Sequence, residues 1–169
     1  MKIKNIFFIL AFLLLVSCTK QEQMAQTNVR NVDILKNGDA SGVVTEQVNY
    51  FETSIGFLAK PKKEGIYPAV VMIHEWWGLN DNIKEMARSL AAEGYVVIAV
   101  DLYNGKVGKN STEAGQLASQ VRNNPNTAIS NMKSAVQYLK NLDNVDDDKI
   151  ASMGWCFGGA MSLQLALNE

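Results

Sequence analysis

Short apolar runs alternate along this sequence with segments of helical periodicity, and this alternation constrains the fold more than any other feature. Residues 69–73 and 95–100 are continuous apolar runs, as expected of strands buried on both faces of a sheet. The first predicted elements are two strands within 43–60 with a turn near 52–54, a strand at 69–73, a helix from Asn80 or Asp81 to Gly94 and a strand at 95–100. Helices over 111–124 and 127–142 are predicted next. They are followed by a turn at Asp146–Asp148, a strand at 150–153 and a helix from Gly158. Strands that alternate with helices predict an α/β fold in which a mostly parallel sheet carries helices on both faces.

Composition and charge exclude several classes of function. The 169 residues are 47% hydrophobic and 20% charged, which is ordinary for one globular domain. The formal net charge of -1 offers no basic excess, so no nucleic-acid partner is predicted. One His and two Cys are too few for a disulfide framework or for a zinc site of Cys and His ligands within one chain. We therefore expect neither a metal nor another cofactor.

The first eighteen residues have the pattern of an export signal. Lys2 and Lys4 precede an apolar run at 6–16, which is too short to cross a bilayer of about 30 Å as a helix. The run ends in Leu15-Val16-Ser17-Cys18, which resembles the lipobox of bacterial lipoproteins. We expect residues 1–17 to be removed and Cys18 to carry fatty acyl chains such as palmitate, which would attach the protein to a membrane. The alternative is an ordinary secretory signal cleaved near Ser17.

This interpretation places the mature chain in the cell envelope. Thr19 after the acylated Cys18 resembles lipoproteins that pass to the outer membrane, so an outer-membrane or periplasm-facing location is expected. Residues 18–42 are rich in Gln, Asn, Lys and Asp, lack a sustained apolar period and predict a flexible tether. The folded domain is expected over residues 43–169. With Cys18 acylated, Cys156 has no disulfide partner within the chain.

A glycine-rich hexapeptide with a central cysteine connects a predicted strand to a predicted helix, and it reads Gly154-Trp155-Cys156-Phe157-Gly158-Gly159. The pattern G-x-C-x-G is that of a nucleophile elbow with Cys in place of Ser. A nucleophile on such a tight turn has a strained backbone, and side chains at Gly154 and Gly158 would collide with the crossing chain. The start of the following helix favours a thiolate and offers amide hydrogens to an oxyanion. The alternative is a buried, unreactive Cys beside a glycine-rich turn.

A second segment of polar and aromatic residues follows the first buried strand and reads His74-Glu75-Trp76-Trp77-Gly78-Leu79-Asn80. In an α/β-hydrolase the loop at this place supplies the second oxyanion amide. The alternative is a loop that leads into a helix, with packed aromatic rings and Asn80 as the helix cap. The cysteine hexapeptide favours the first interpretation.

Four motifs in this order resemble the dienelactone hydrolase family across roughly residues 43–169. They are Gly56-Phe57-Leu58-Ala59-Lys60-Pro61, His74-Glu75-Trp76-Trp77-Gly78-Leu79-Asn80, Asp101-Leu102-Tyr103 and Gly154-Trp155-Cys156-Phe157-Gly158-Gly159. The resemblance implies an α/β-hydrolase fold and hydrolysis of a small ester or lactone through a thioester intermediate.

The resemblance also implies a role for individual residues. Cys156 resembles the nucleophile, and Glu75 resembles the carboxylate that takes the thiol proton when substrate arrives. The amides of Trp76 and Phe157 would form the oxyanion hole. Gly154 and Gly158 would be the glycines of the elbow, and Trp76 lies in the loop after the first buried strand. Further residues are expected to contact the substrate: His74, Trp77, Tyr103 and Lys106.

Two departures from the family pattern qualify these expectations. Gly105, with Lys106 beside it, stands where the family binds a substrate carboxylate with Arg, which argues against a carboxylate-bearing dienelactone. The family's Asp and His follow the elbow on later loops that this chain does not contain. We therefore expect an N-terminal portion without the C-terminal strands and helices, inactive alone and poorly folded. His74 is expected to be structural or part of the pocket wall rather than the general base. The alternative is a catalytically inactive fragment or binding protein that retains the pocket.

Overall fold

The structure is a computed structural model in which residues 42–168 are described. The expected signal peptide, the lipidation site Cys18 and all but the last residue of the expected tether lie outside these residues. The strands are β1 (Val43–Phe51), β2 (Ser54–Pro61), β3 (Tyr67–Ile73), β4 (Val96–Val100) and β5 (Val145–Gly154), and the helices are α1 (Asp81–Ala92), α2 (Ser111–Asn123), α3 (Pro125–Lys140) and α4 (Phe157–Ala166).

The five strands form one sheet in the order β1-β2-β4-β3-β5. β3 pairs in parallel with β4 on one side and with β5 on the other, whereas β2 is antiparallel to both β4 and β1. Two connections that each include helices return the chain from β3 to β4 and from β4 to β5, as parallel neighbours require. The predicted α/β fold is confirmed, and its five described strands form a mixed sheet with two parallel and two antiparallel pairings.

Helices cover both faces of the sheet because successive strand residues point to opposite sides. On one face, Val70 and Met72 of β3 belong to the same apolar cluster as Ile83 and Ala87 of α1. On the other face, a second cluster joins apolar residues of β3 and β4 to α3 and α4: Val71, Ile73, Ile98, Met132, Leu139 and Leu165. Burial on both faces explains why β3 and β4 are continuous apolar runs in the sequence.

The segment that leads to the cysteine motif differs from its prediction. The turn predicted at Asp146–Asp148 is wrong, because these residues lie inside β5. Tyr67 pairs with Val145 but Ala69 pairs with Ile150, so β5 accommodates extra residues opposite β3 through an irregularity in register. The start of α3 also differs from its prediction, because the helix begins at Pro125 rather than at residue 127. Proline is favoured in the first turn of a helix.

The carboxyl ends of the three parallel strands lie side by side, and this arrangement positions the candidate site. Ile73 at the end of β3 pairs with Val100 of β4 and with Gly154 of β5. The loops that follow these strands carry the second motif, the Asp-Leu-Tyr motif and the cysteine motif, and ligands of open α/β sheets bind at this edge. Within residues 42–168, the helices are too short or too polar to cross a membrane.

Candidate functional site

Cys156 occupies a strained turn between β5 and α4. Its backbone has φ 53° and ψ −116°, a conformation that L-residues rarely adopt, and its side chain is exposed. A Cβ atom at Gly158 would overlap the carbonyl oxygen of Ile73 and lie 2.6 Å from that of His74. A Cβ atom at Gly154 would lie 2.8 Å from the Ile73 oxygen. The elbow therefore crosses directly over the end of β3, and only glycine fits at both positions.

Two backbone amides, one at the elbow and one in the loop after β3, have no acceptor within residues 42–168. Phe157 is the first residue of α4, and Trp76 lies in the loop 74–80 that joins β3 to α1. Among residues 42–168, neither N–H donates a hydrogen bond to the backbone or to a side chain. Unpaired donors at a helix start and on the adjacent strand's loop are the groups that an oxyanion hole needs. These are the two amides that the sequence pointed to.

Glu75 is half-buried in the loop 74–80, directly before the aromatic pair Trp76 and Trp77. Within the described part of the chain, its carboxylate forms neither an ion pair nor a hydrogen bond. Gly158 of the elbow contacts the carbonyl group of the peptide that joins His74 to Glu75. The rings of Trp76 and Trp77, which follow directly, pack edge to face at 5.1 Å between centroids. The elbow therefore passes close to the peptide that precedes Glu75.

His74 is fully buried beneath these groups. Its Nδ1 lies 2.6 Å from the Glu75 carbonyl oxygen, and its Nε2 accepts a hydrogen bond from the Leu102 amide at 3.3 Å. The ring packs edge to face on Tyr103 at 4.5 Å and is stacked with Phe157 at 6.0 Å. The pKa of His74 is lowered, because burial outweighs two effects that raise it, the hydrogen bond to the Glu75 carbonyl oxygen and the nearby Asp101 carboxylate. With no surface to offer a bound molecule, His74 fits the structural role rather than the expected substrate contact.

The loop after β4 is built on Asp101. This carboxylate accepts hydrogen bonds from the amides of Tyr103, at 2.8 Å, and Gly105. The Tyr103 hydroxyl donates to the Trp76 carbonyl oxygen at 3.1 Å. This hydrogen bond connects the loop after β4 to residues 74–80, which we call the oxyanion segment after the role expected of the Trp76 amide. Lys106 is exposed and lines two clefts, of about 270 and 350 Å³, that Cys156 does not line. The structure thus connects Tyr103 to the loop that carries Glu75 and Trp76.

Sequence reasoning did not identify Arg122, a residue of the last turn of α2. Its guanidinium lies 5.6 Å from the centre of the Phe157 ring. Burial raises the pKa of Tyr103 to about 12, the cation of Arg122 opposes this shift, and Cys156 adds to it. The cation and the thiol therefore both lie within electrostatic reach of Tyr103. A basic residue in the last turn of a helix is common, so no local signal marked it.

A buried polar network behind the Asp101 loop was also missed. The Tyr50 hydroxyl donates to Oδ1 of Asn131 at 2.7 Å and accepts from the Asp101 amide at 2.9 Å. Asn131 donates to the Ser54 hydroxyl and to the Asp101 carbonyl oxygen. Burial raises the pKa of the Tyr50 hydroxyl. The network fixes the start of the loop from two distant parts of the chain, which periodicity does not reveal.

One group of three carboxylates lies together within residues 42–168. The oxygens of Asp146, Asp147 and Asp148 fall within 4.8 Å of one another on β5. Asp146 is already paired with Lys149 at 2.6 Å. The group stands at the opposite end of β5 from the elbow and shares no contact with the candidate site.

Comparison with known proteins relates this geometry to one family. A sequence profile described as the Dienelactone hydrolase family matches residues 55–169. The protein Usf of Aquifex pyrophilus is 37% identical over 115 residues, covering 66% of this chain and 49% of that protein. A protein of Aquifex aeolicus, provisionally named a carboxymethylenebutenolidase, is 34% identical over the same shares of the two chains. The chain spans about half the length of these relatives.

Solved structures agree with the sequence comparison. The protein designated m3DLH superposes with a TM-score of 0.69 at 28% identity, covering 75% of this chain and 55% of that one. A dienelactone hydrolase-like promiscuous phosphotriesterase from metagenomic libraries gives 0.68 at 29% identity, with the same coverage. The profile match includes the elbow, the loop after β3 and the Asp-Leu-Tyr motif. The chain therefore belongs to the dienelactone hydrolase family, whose members have the α/β-hydrolase fold.

Proposed function

We propose that Cys156 is the nucleophile of an enzyme that hydrolyses small esters or lactones. The observation that carries this proposal is the exposed Cys156 on a strained turn at the start of α4, directly over the end of β3. The helix start favours a thiolate, and the unpaired amides of Phe157 and Trp76 face no competing acceptor within residues 42–168. The provisional carboxymethylenebutenolidase names of relatives point to the same class of reaction.

The proposed acylation moves one proton and exchanges one bond. Glu75 accepts the thiol proton of Cys156, and the sulfur electron pair attacks the ester carbonyl carbon. The carbonyl π electrons move to oxygen, where the two amides stabilise the negative charge. Collapse of this intermediate breaks the carbon–oxygen bond to the alcohol, which leaves with the proton. A thioester of Cys156 remains.

Deacylation requires a water molecule and a base to activate it. The hydroxide equivalent attacks the thioester, releases the carboxylic acid and returns the thiol. Family members carry an Asp and a His after the elbow for this task, and we assign it to those residues in the whole protein. His74 does not supply the base, because its ring is buried and both nitrogens are engaged. An inactive protein that only binds esters is the competing possibility.

The proposal is tested with the complete product of the gene, assayed against a panel of small esters and lactones. We expect Cys156→Ala to lower kcat at least about 10³-fold, because nothing replaces the nucleophile. Glu75→Gln should lower kcat by about 10²-fold, since a neutral amide cannot accept the thiol proton. Lys149→Gln is the control: Lys149 is an exposed residue of β5, far from the elbow and paired with Asp146, and its loss should leave kcat unchanged. Wild-type turnover that survives in Cys156→Ala contradicts the proposal.

We further propose that the protein is a lipoprotein anchored through Cys18. The lipobox-like sequence supports this proposal, and lipidation would place the hydrolase at a membrane of the cell envelope. Cys18→Ala should abolish labelling with a palmitate analogue and leave an uncleaved or soluble protein. Cys156→Ala is the matched control and should retain the label. Lipid labelling that persists in Cys18→Ala would show that the anchor lies elsewhere.

A further inference from the structure

We propose that His74 is a positioning residue: it orients the Trp76 N–H toward the oxyanion that develops during acylation. The inference rests on the proposed function and adds a residue that touches neither substrate nor thiol. Its basis is one contact, the 2.6 Å hydrogen bond between the imidazole Nδ1 and the Glu75 carbonyl oxygen. That oxygen and the Trp76 N–H belong to the same peptide unit.

A planar trans peptide couples these two groups rigidly. The C=O and N–H of one unit point in opposite directions, so the direction of the Glu75 oxygen fixes that of the Trp76 hydrogen. No cis peptide bond occurs among the described residues. The Glu75 oxygen also accepts from the Gly78 amide, but at 3.2 Å that contact is longer than the imidazole contact. His74 therefore holds the carbonyl end of the unit and leaves the amide end unpaired.

The partners of His74 assign one tautomer. A carbonyl oxygen can only accept, so Nδ1 carries the hydrogen, and the Leu102 amide can only donate, so Nε2 carries the lone pair. The ring thus connects the peptide after β3 to the loop after β4. Tyr103 completes the connection by donating to the next carbonyl, that of Trp76. Two consecutive carbonyl groups are thus held, that of Glu75 by the His74 ring and that of Trp76 by Tyr103.

This role predicts a selective chemical effect. The Trp76 amide stabilises charge that exists only after the sulfur has attacked a carbonyl carbon, so misaiming it should slow acylation. Alkylation of the same thiol by iodoacetamide displaces iodide and forms no oxyanion. The ratio of the acylation rate to the alkylation rate therefore separates oxyanion stabilisation from thiol exposure and thiol reactivity.

The experiment compares two substitutions in the full chain. In His74→Asn the side-chain amide can donate from near the position of Nδ1, whereas in His74→Gln the amide reaches the position of Nε2 instead. Single-turnover acylation by p-nitrophenyl acetate and alkylation by iodoacetamide are measured, with the modified peptide identified by mass spectrometry. Ser152→Ala is the matched control, because it removes a partly buried hydrogen bond to the Ser162 hydroxyl that involves neither the Glu75–Trp76 peptide nor the loop after β4. All variants are assayed below their melting temperatures.

We expect His74→Gln to lower the acylation-to-alkylation ratio by about 10- to 100-fold, as misplacement by about 1 Å does in other sites. His74→Asn should recover most of this loss, and Ser152→Ala should leave the ratio unchanged. An unchanged ratio in His74→Gln, or equal losses in the Gln and Asn variants, overturns the positioning role while leaving the proposed function intact. A wild-type Cys156 that is alkylated but not acylated overturns both.

Discussion

β3 and β5 run side by side and in parallel, yet their surroundings differ sharply. β3 pairs with a strand on each side, and its residues 69–73 are at most 7% exposed. β5 pairs only with β3 among the described strands, and none of its ten residues is fully buried. The segment proposed to hold the oxyanion therefore follows a strand that is paired on both sides, whereas the proposed nucleophile follows a strand with one described neighbour. The site depends on the elbow's close contact with β3 to keep these two parts in register.

The largest effect should come from breaking that contact. Gly158→Ala places a methyl group against the carbonyl oxygens of Ile73 and His74, and backbone atoms cannot move aside as a side-chain tip could. We expect a loss of at least about 3 kcal/mol in the free energy of unfolding, and loss of Cys156 acylation. Urea unfolding and acetyl transfer measure the two effects. A variant as stable as the wild type would show that the elbow does not cross β3 this closely.

A pair of substitutions in the 169-residue chain measures the contrast between β4, which is paired on both sides, and β5, which pairs with β3 alone among the described strands. Ile98 of β4 is fully buried between β2 and β3, whereas Ile150 of β5 is only partly buried. Ile98→Ala should lower the free energy of unfolding by about 3 to 5 kcal/mol, at the upper end for such truncations. Ile150→Ala should lower it by only about 1 to 2 kcal/mol, because Ile150 buries less apolar surface. Both values come from urea unfolding. Equal costs would mean that β5 is as well packed as the centre of the sheet.

His74, which directly follows β3, should make the stability of the fold depend on pH. Burial lowers the pKa of His74 below its ordinary value of 6.5, so the unfolded chain takes up the proton first. Stability is then complete above about pH 6.5 and falls as the pH decreases toward the lowered pKa. The groups that face the ring are the Asp101 carboxylate, which favours the charged form, and the neutral Tyr103.

His74 is the one His of the sequence, so unfolding free energies at pH 5.5 and 7.5 report mainly on its proton. We expect a lower value at pH 5.5 in the wild type and a much smaller difference in His74→Asn. The same decrease in both proteins would assign the pH dependence to other groups.

The smallest effect should be a gain in stability. Gly115 lies inside α2, where a Cβ atom would reach only the Trp76 ring, at 4.0 Å. Gly115→Ala should stabilise the protein by about 0.5 to 1 kcal/mol, because alanine favours the helix. It is also the matched control for Gly158→Ala, since both add one methyl group. A loss in this variant would show that α2 packs more tightly on the loop 74–80 than the distance indicates.

The sequence predicted the elements whose signals are local. Continuous apolar runs identified β3 and β4, and Asn80 caps α1 through a hydrogen bond to the Ile83 amide, as expected. The glycine spacing predicted the tight turn at Cys156 because steric exclusion acts within a few residues. The start of β5 was not predicted, since Val145 joins the sheet through its pairing with Tyr67, far away in the chain.

The contacts that organise the site were beyond sequence reasoning for the same reason. His74 meets Leu102 across 28 residues, and Tyr50 meets Asn131 across 81. Arg122 reaches the Phe157 ring only because α2 packs beside the elbow. Periodicity gives the face on which a residue lies, but not its partner on another element. The role of a residue could be proposed from its motif, while its hydrogen bonds required the fold.

Our central proposal is that β5 presents Cys156 as a nucleophile to the oxyanion segment, which follows β3. The most direct measurement is mass spectrometry of the protein after brief exposure to p-nitrophenyl acetate, with release of nitrophenolate followed in parallel. We expect one acetyl group per chain, carried by the peptide that contains Cys156, and a matching burst of nitrophenolate; Cys156→Ala should show neither. An acetyl group on another residue, or an equal burst from Cys156→Ala, would contradict the claim.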